Sequence, residues 1–309
     1  MRAITLDSFG VPPSLRDDLP SPDAADGEVL VRVRASSVNP VDAGIAGGML
    51  KDMIEHELPV TIGRDYAGIV ERVGGEVSGY AVGDEVFGFL LHANPTVHAG
   101  SWSELIKVSP QLSIAAAPTG VDLATAGAAP LAGITALTAV DALELSDGAT
   151  LLIVGAAGGV GSFAVQLAAR VGATVLAPAL PEDETYLRDL GVTTVLPRDG
   201  DVAAAVGELH PDGVAAVLDL VSYGPGTFDA VLKDGGRVAS PNGAAGDGPG
   251  RTNVMAAPTT DNLERLAGLL ADGSLRVPVQ ATYDLDRAPE ALTALGTTHT
   301  QGKLAIRMG

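Results

Sequence analysis

In the N-terminal third of the chain, apolar and polar positions alternate in short runs, each cut off by Gly or Pro. In EVLVRVRASSV at 28–38, Val29, Val31 and Val33 alternate with Leu30, Arg32 and Arg34. A period of two is the mark of a strand with one buried face. AITL at 3–6, GRDYAGIVERVG at 63–74 and GDEVFGFL at 83–90 continue the style, with glycines spaced for turns and bulges. The pattern predicts an antiparallel barrel or partly open sheet.

Beyond Pro118 the pattern changes. DLATAGAAPLAGITALTAVDAL at 122–143 is Ala-rich and helix-compatible. The runs TLLIV at 150–154, TVLA at 174–177, VTTVL at 192–196, VAAVLDLV at 214–221 and GRVAS at 236–240 are short, apolar and rich in β-branched residues. With helical spacing between several of them, they predict parallel strands joined by crossover helices. NLERLAGLLADG at 262–273 predicts a helix, with Leu263, Leu266, Ala267 and Leu270 on one stripe and Gly273 as its stop. QGKLAIRM at 301–308 returns to strand and is expected to complete the first domain.

The strand TLLIV runs directly into GAAGGVG, which places Gly155, Gly158 and Gly161 three apart. The following helix carries Val160, Phe163, Ala164, Leu167, Ala168 and Val171 as an apolar stripe, and Gly172 stops it before the strand TVLA. Such a βαβ unit suits a dinucleotide. The glycines allow a tight turn, close backbone approach to a pyrophosphate and close packing of helix on sheet, while the helix N-terminus offers free N–H groups. After the second strand the turn reads Ala177-Pro178-Ala179-Leu180-Pro181-Glu182-Asp183-Glu184, with no basic residue before Arg188. The acidic triplet can either bond a ribose diol, which suits NADH, or complement a helix N-terminus after Pro181.

Composition narrows the chemistry. The 309 residues include no cysteine, which excludes disulfides, thiolate metal sites and a catalytic thiol together. A formal net charge of −19 argues against nucleic acid as a partner, since that affinity rests on Lys and Arg displacing counterions. No secretory leader and no run of about 18 apolar residues is visible, so the expectation is a cytoplasmic protein with no membrane partner.

The segments SVNPVDAGIAGG at 37–48, PVTIGRDYAGIVERVG at 59–74, GYAVGDEVFGF at 79–89, GSWSELIKV at 100–108, GAAGGVG at 155–161 and HTQGKLAIRM at 299–308 resemble, in order, the quinone oxidoreductase (zeta-crystallin-like) branch of the medium-chain dehydrogenase/reductases. The resemblance implies an α/β fold, with a Rossmann doubly wound parallel sheet plus a GroES-like antiparallel β-barrel catalytic domain. The expected division is a catalytic domain at 1–120 completed by 262–309, and a dinucleotide-binding domain at 121–261. It further implies an active site in a cleft between the two, a homodimer, and NADPH as cofactor, with NADH permitted by the local turn. Asn39, Thr135, Gly155, Gly158, Gly159, Val160, Gly161, Ala177, Leu220, Val221, Pro241, Asn242, Gly243 and Lys303 are the implied cofactor contacts.

Zinc-dependent relatives carry a catalytic Cys and a His in a GHE segment, where this chain has Gly63-Arg64-Asp65. Without a Lewis acid a plain alcohol is a poor substrate, whereas a quinone or enone takes up hydride charge by conjugation. A small hydrophobic carbonyl compound is therefore the expected substrate, with Asn39 and backbone N–H groups holding the developing oxyanion before water protonates it. Many relatives have a tyrosine after the NPVD motif; this chain has Met49, Leu50, Met53 and His56 there. His56, Tyr66 and His92 are the candidate general acids. Asp42 and Asp65 read as helix caps or partners of Arg64 rather than proton carriers. Two alternatives use the same fold: a reductase of a specialised enoyl or polyketide-type intermediate, and a redox-silent cyclase or binding protein.

Overall fold

A computed structural model describes residues 1–49, 51–52, 57–91 and 100–309. In chain order the elements begin with β1 (Ala3–Leu6), β2 (Ser14–Arg16), β3 (Val29–Ser37), α1 (Pro40–Ala46), β4 (Val60–Thr61), β5 (Asp65–Val73), β6 (Glu85–Phe89), β7 (Leu105–Val108) and β8 (Ala115–Ala116). There follow α2 (Leu123–Ala126), α3 (Pro130–Ala142), β9 (Thr150–Val154), α4 (Gly159–Arg170), β10 (Thr174–Ala179), α5 (Glu184–Leu190), β11 (Thr194–Pro197), α6 (Val202–Leu209) and β12 (Val214–Asp219). The chain closes with β13 (Leu232–Ser240), β14 (Arg251–Asn253), α7 (Thr260–Ala271), β15 (Val279–Asp284), α8 (Ala288–Thr297) and β16 (Lys303–Arg307).

Two compact units result: Met1–Leu131 with Ala257–Gly273 and Val279–Gly309, and Ala132–Ala256 with Ser274–Pro278. The first handover falls later than 120 because α2 packs on β3, β5 and β16. Residues 257–273 stay with the first unit, held by Ser113 N donating to the Pro258 carbonyl at 2.7 Å and by α7 against β8. Residues 274–278 revert to the second, tied by Arg276 N donating to Gln166 Oε1 at 2.9 Å.

In the first unit, the main sheet runs β15-β16-β3-β5-β6-β8, with β7 also pairing β3, and a smaller sheet runs β2-β1-β4. All pairings are antiparallel except β15 with β16. The alternating valines of β3 face a core with Ile4, Ile62, Tyr66, Trp102, Ile106 and Ile306, and Leu30 on the other face is buried as well.

In the second unit, the sheet order is β11-β10-β9-β12-β13-β14, every neighbour parallel. Strand order reverses between β9 and β12, which makes their carboxyl ends the switch point where such sheets bind ligands. Along α4 the buried face is Gly161 to Val165, Leu167 and Ala168. The predicted stripe errs at both ends: Val160 is half-buried and Val171 is exposed, because the helix stops at Arg170.

Candidate active site

Three strand ends meet in the first unit. Ala305 of β16 faces Ser37 at the end of β3, and Ala67 of β5 faces Ala35, so Lys303, Ser37 and Asp65 share one edge of the sheet. Asn39 follows at the N-cap of α1, where its backbone N–H donates to Asp42 Oδ2 at 2.8 Å. Asp65 is the hub. Its Oδ2 accepts from Ser37 Oγ at 2.5 Å, Asn39 Nδ2 at 2.8 Å and Lys303 Nζ at 3.4 Å, and its Oδ1 from the Leu131 N–H at 2.7 Å.

Lys303 completes the arrangement. Its ammonium donates to Asn39 Oδ1 at 2.6 Å, the Val38 carbonyl at 3.2 Å and Asp65, which uses all three of its N–H groups. A saturated, buried ammonium orients Asn39 rather than reaching outward. The Asn39 amide thus has its oxygen turned to Lys303 and one N–H to Asp65, while its second N–H meets no acceptor among the described residues.

A second pair of buried charges stands behind the first. Arg64 and Asp42 are both essentially without exposure. Arg64 donates from Nη1 to the Leu91 carbonyl at 3.2 Å, whereas its Nε and Nη2 and Asp42 Oδ1 have no hydrogen-bond partner among the described residues. Burial pushes the Asp42 carboxyl up to about 7, against the opposing pull of Arg64, and burial likewise lowers Arg64 below the usual guanidinium range. Asp42 is therefore a helix cap, and Asp65 pairs with Lys303 rather than Arg64.

In the second unit the glycine turn lies at the carboxyl end of β9. Gly155 has φ +85°, a region open to glycine, and an added Cβ would strike the Val221 side chain at 2.9 Å. At Gly161 a Cβ would lie 2.2 Å from the Gly155 carbonyl oxygen, so helix and strand touch backbone to backbone. Gly158, the N-cap of α4, differs: a Cβ would meet nothing nearer than 3.6 Å. The protein's own packing does not require a glycine there, but a phosphate approaching the helix N-terminus does. The residues fit a dinucleotide.

The neighbouring strand ends carry other expected contacts. Asp219 at the end of β12 accepts from the backbone N–H groups of Val221, Ser222 and Tyr223 at 2.8–2.9 Å, which pins the loop holding Leu220 and Val221. Asn242 Nδ2 donates to the Leu220 carbonyl at 3.2 Å, bringing the Pro241–Gly243 loop after β13 beside it. Thr135 lies on α3, mostly buried. Ala177 is fully buried inside β10, which runs on to Ala179, so the turn after the strand begins at Leu180.

Tyr66 also departs from its expected role. It lies in the hydrophobic core with no exposure, its hydroxyl donates to the Ser113 carbonyl at 2.6 Å, and burial raises its pKa well above the phenol range. It is a core residue without access for proton delivery. Leu50, Met53, His56 and His92 lie outside the described residues. The hub role of Asp65, with Ser37 and Lys303 around it, escaped sequence reasoning because no spacing links positions 37, 65 and 303.

Residues 25–118 match the alcohol dehydrogenase GroES-like domain, and residues 190–306 the zinc-binding dehydrogenase model. The chain is 31% identical over 298 residues to a 2-methylene-furan-3-one reductase of Solanum lycopersicum, covering 94% of this chain and 74% of that protein. It is 32% identical over 303 residues to an NADPH-dependent alkenal/one oxidoreductase of Arabidopsis thaliana, with 94% and 75% covered. The solved quinone oxidoreductase of Coxiella burnetii superposes with a TM-score of 0.88 at 29% identity, covering 99% of each chain. The chain belongs to the zinc-independent, quinone oxidoreductase-like branch of the medium-chain dehydrogenase/reductases. As a member of that branch it is a nicotinamide-dependent oxidoreductase. The matched model's zinc-binding description carries no thiolate ligands here, since the chain has no cysteine. Among the described residues no helix is long and apolar enough to cross a membrane.

Proposed function

We propose that this oxidoreductase uses NADPH to reduce a quinone or an activated enone without a metal. The observation that carries the reading is the contrast between Gly161, where a Cβ collides with backbone, and Gly158, where it meets nothing nearer than 3.6 Å, so that only close approach of a ligand calls for glycine there. When bound, the reduced nicotinamide supplies the hydride. Gly158 and the first N–H groups of α4 hold the pyrophosphate, and the loops of Leu220, Val221 and Pro241 to Gly243 border it. Asn39, fixed by Lys303 and Asp65, keeps one Nδ2 hydrogen for the substrate oxygen as it gains negative charge. Water is the proton source in this reading, and Tyr66, whose hydroxyl is spent on the Ser113 carbonyl, does not supply it.

The similarity to an alkenal/one oxidoreductase and to a furanone reductase supports the enone, and that to a quinone oxidoreductase supports the quinone. A working homodimer belongs to the same proposal and is read from light scattering. The deciding experiment titrates the purified protein with NADPH and NADH, then follows loss of reduced-nicotinamide absorbance with a simple quinone and a short enone. Turnover of either acceptor is expected. Failure to bind either nucleotide would overturn the redox reading, and binding without reduction of any acceptor would overturn the substrate class.

A further inference from the structure

The turn after β10 looks hostile to a phosphate, with Glu182, Asp183 and Glu184 in succession. Each is already engaged. Asp183 is buried, and its Oδ2 accepts the Leu180 N–H at 3.3 Å, capping the turn. Glu184 pairs with Arg188 at 2.9 Å, one turn on along α5. Glu182 is not free either. The nearest cation in sequence, Arg188, is equally occupied, since besides Glu184 it donates to the Thr193 carbonyl at 3.3 Å.

One cation beside this turn is uncommitted, and it comes from the next strand. β10 and β11 are parallel, with Ala179 opposite Pro197, and the Arg198 N–H donates to the Ala179 carbonyl at 3.1 Å. Arg198 therefore stands at the carboxyl edge of the sheet, beside the residue after which the β10 turn begins. Its side chain is exposed and makes no hydrogen bond or ion pair with any described residue. A guanidinium that keeps its full set of donors is the side chain best shaped for a phosphate monoester.

We propose that Arg198 receives the 2′-phosphate of NADPH and sets this chain's preference over NADH. This rests on the nicotinamide reading of the glycine turn and deepens it. Parallel pairing of β10 with β11 is what brings position 198 beside position 179.

The test measures binding of 2′,5′-ADP and of 5′-AMP by calorimetry, and steady-state KM for NADPH and NADH, in the wild type, Arg198→Ala and Arg198→Glu. The wild type is expected to favour the 2′-phosphorylated member of each pair. Losing one charge-assisted contact should weaken 2′,5′-ADP and raise the NADPH KM by roughly tenfold to a hundredfold, more for Glu, with 5′-AMP and NADH unchanged. Unchanged NADH kinetics show that the variants fold. A wild type that favours NADH, equal losses for both cofactors, or no loss in either variant would overturn the assignment. A wild type that binds no nucleotide would instead overturn the reading beneath it.

Discussion

Asp42 shows what burial does to one residue. The desolvated carboxylate is disfavoured, Asp65 adds repulsion, and Arg64, the Asn39 N–H and Lys303 only partly offset this, which leaves the group at about 7 against 3.8 in the unfolded chain. A folded-state pKa above the unfolded one means that the native state binds the proton more tightly. The stabilising contribution is complete below 3.8 and is lost as pH rises through about 7. Asp42→Asn keeps an oxygen for the Asn39 N–H and carries no charge. It should flatten the fall in stability across that window, as measured by urea midpoints at a series of pH values. An unchanged slope would assign the pH dependence to other groups.

At the scale of the element, the β9–α4 junction separates folding from binding. Gly161→Ala forces backbone apart, because its Cβ would sit 2.2 Å from the Gly155 carbonyl oxygen, and should destabilise the protein by roughly 1–3 kcal/mol in chemical denaturation. Gly158→Ala meets no such atom and should cost at most about 1 kcal/mol as an N-cap exchange. Its expected effect is on nucleotide affinity, lowered roughly tenfold or more in calorimetric titration because the backbone must approach the pyrophosphate closely. If Gly158→Ala binds nucleotide as the wild type does, the cradle lies elsewhere. The same junction was legible in the sequence because its parts are contiguous: a strand, three glycines at equal spacing and an amphipathic helix.

Over the whole molecule, the net charge of −19 spreads self-repulsion across a surface otherwise laced with exposed ion pairs such as Arg287 with Glu290. Exposed pairs contribute little, so screening of the excess acid should dominate the response to salt. Relieving about 1 kcal/mol of repulsion would raise Tm by about 2–4 °C. Thermal unfolding at neutral pH should therefore shift upward between low and moderate sodium chloride. A downward shift would mean that the ion pairs outweigh the net charge.

Local patterns in the chain determined the two kinds of sheet, the helix α7 with Leu263, Leu266 and Leu270 buried, the glycine turn and the absence of thiolate metal ligands. These follow from side-chain periodicity, φ limits and residue counts, which need only neighbours in sequence. Tertiary structure alone decided that Tyr66 is a core residue, that β10 runs past Ala177, that Lys303 spends its ammonium on Asn39 and Asp65, and that Arg198 stands beside Ala179. Each of these depends on strand register between segments far apart in the chain, and register is fixed by which faces the whole fold can bury.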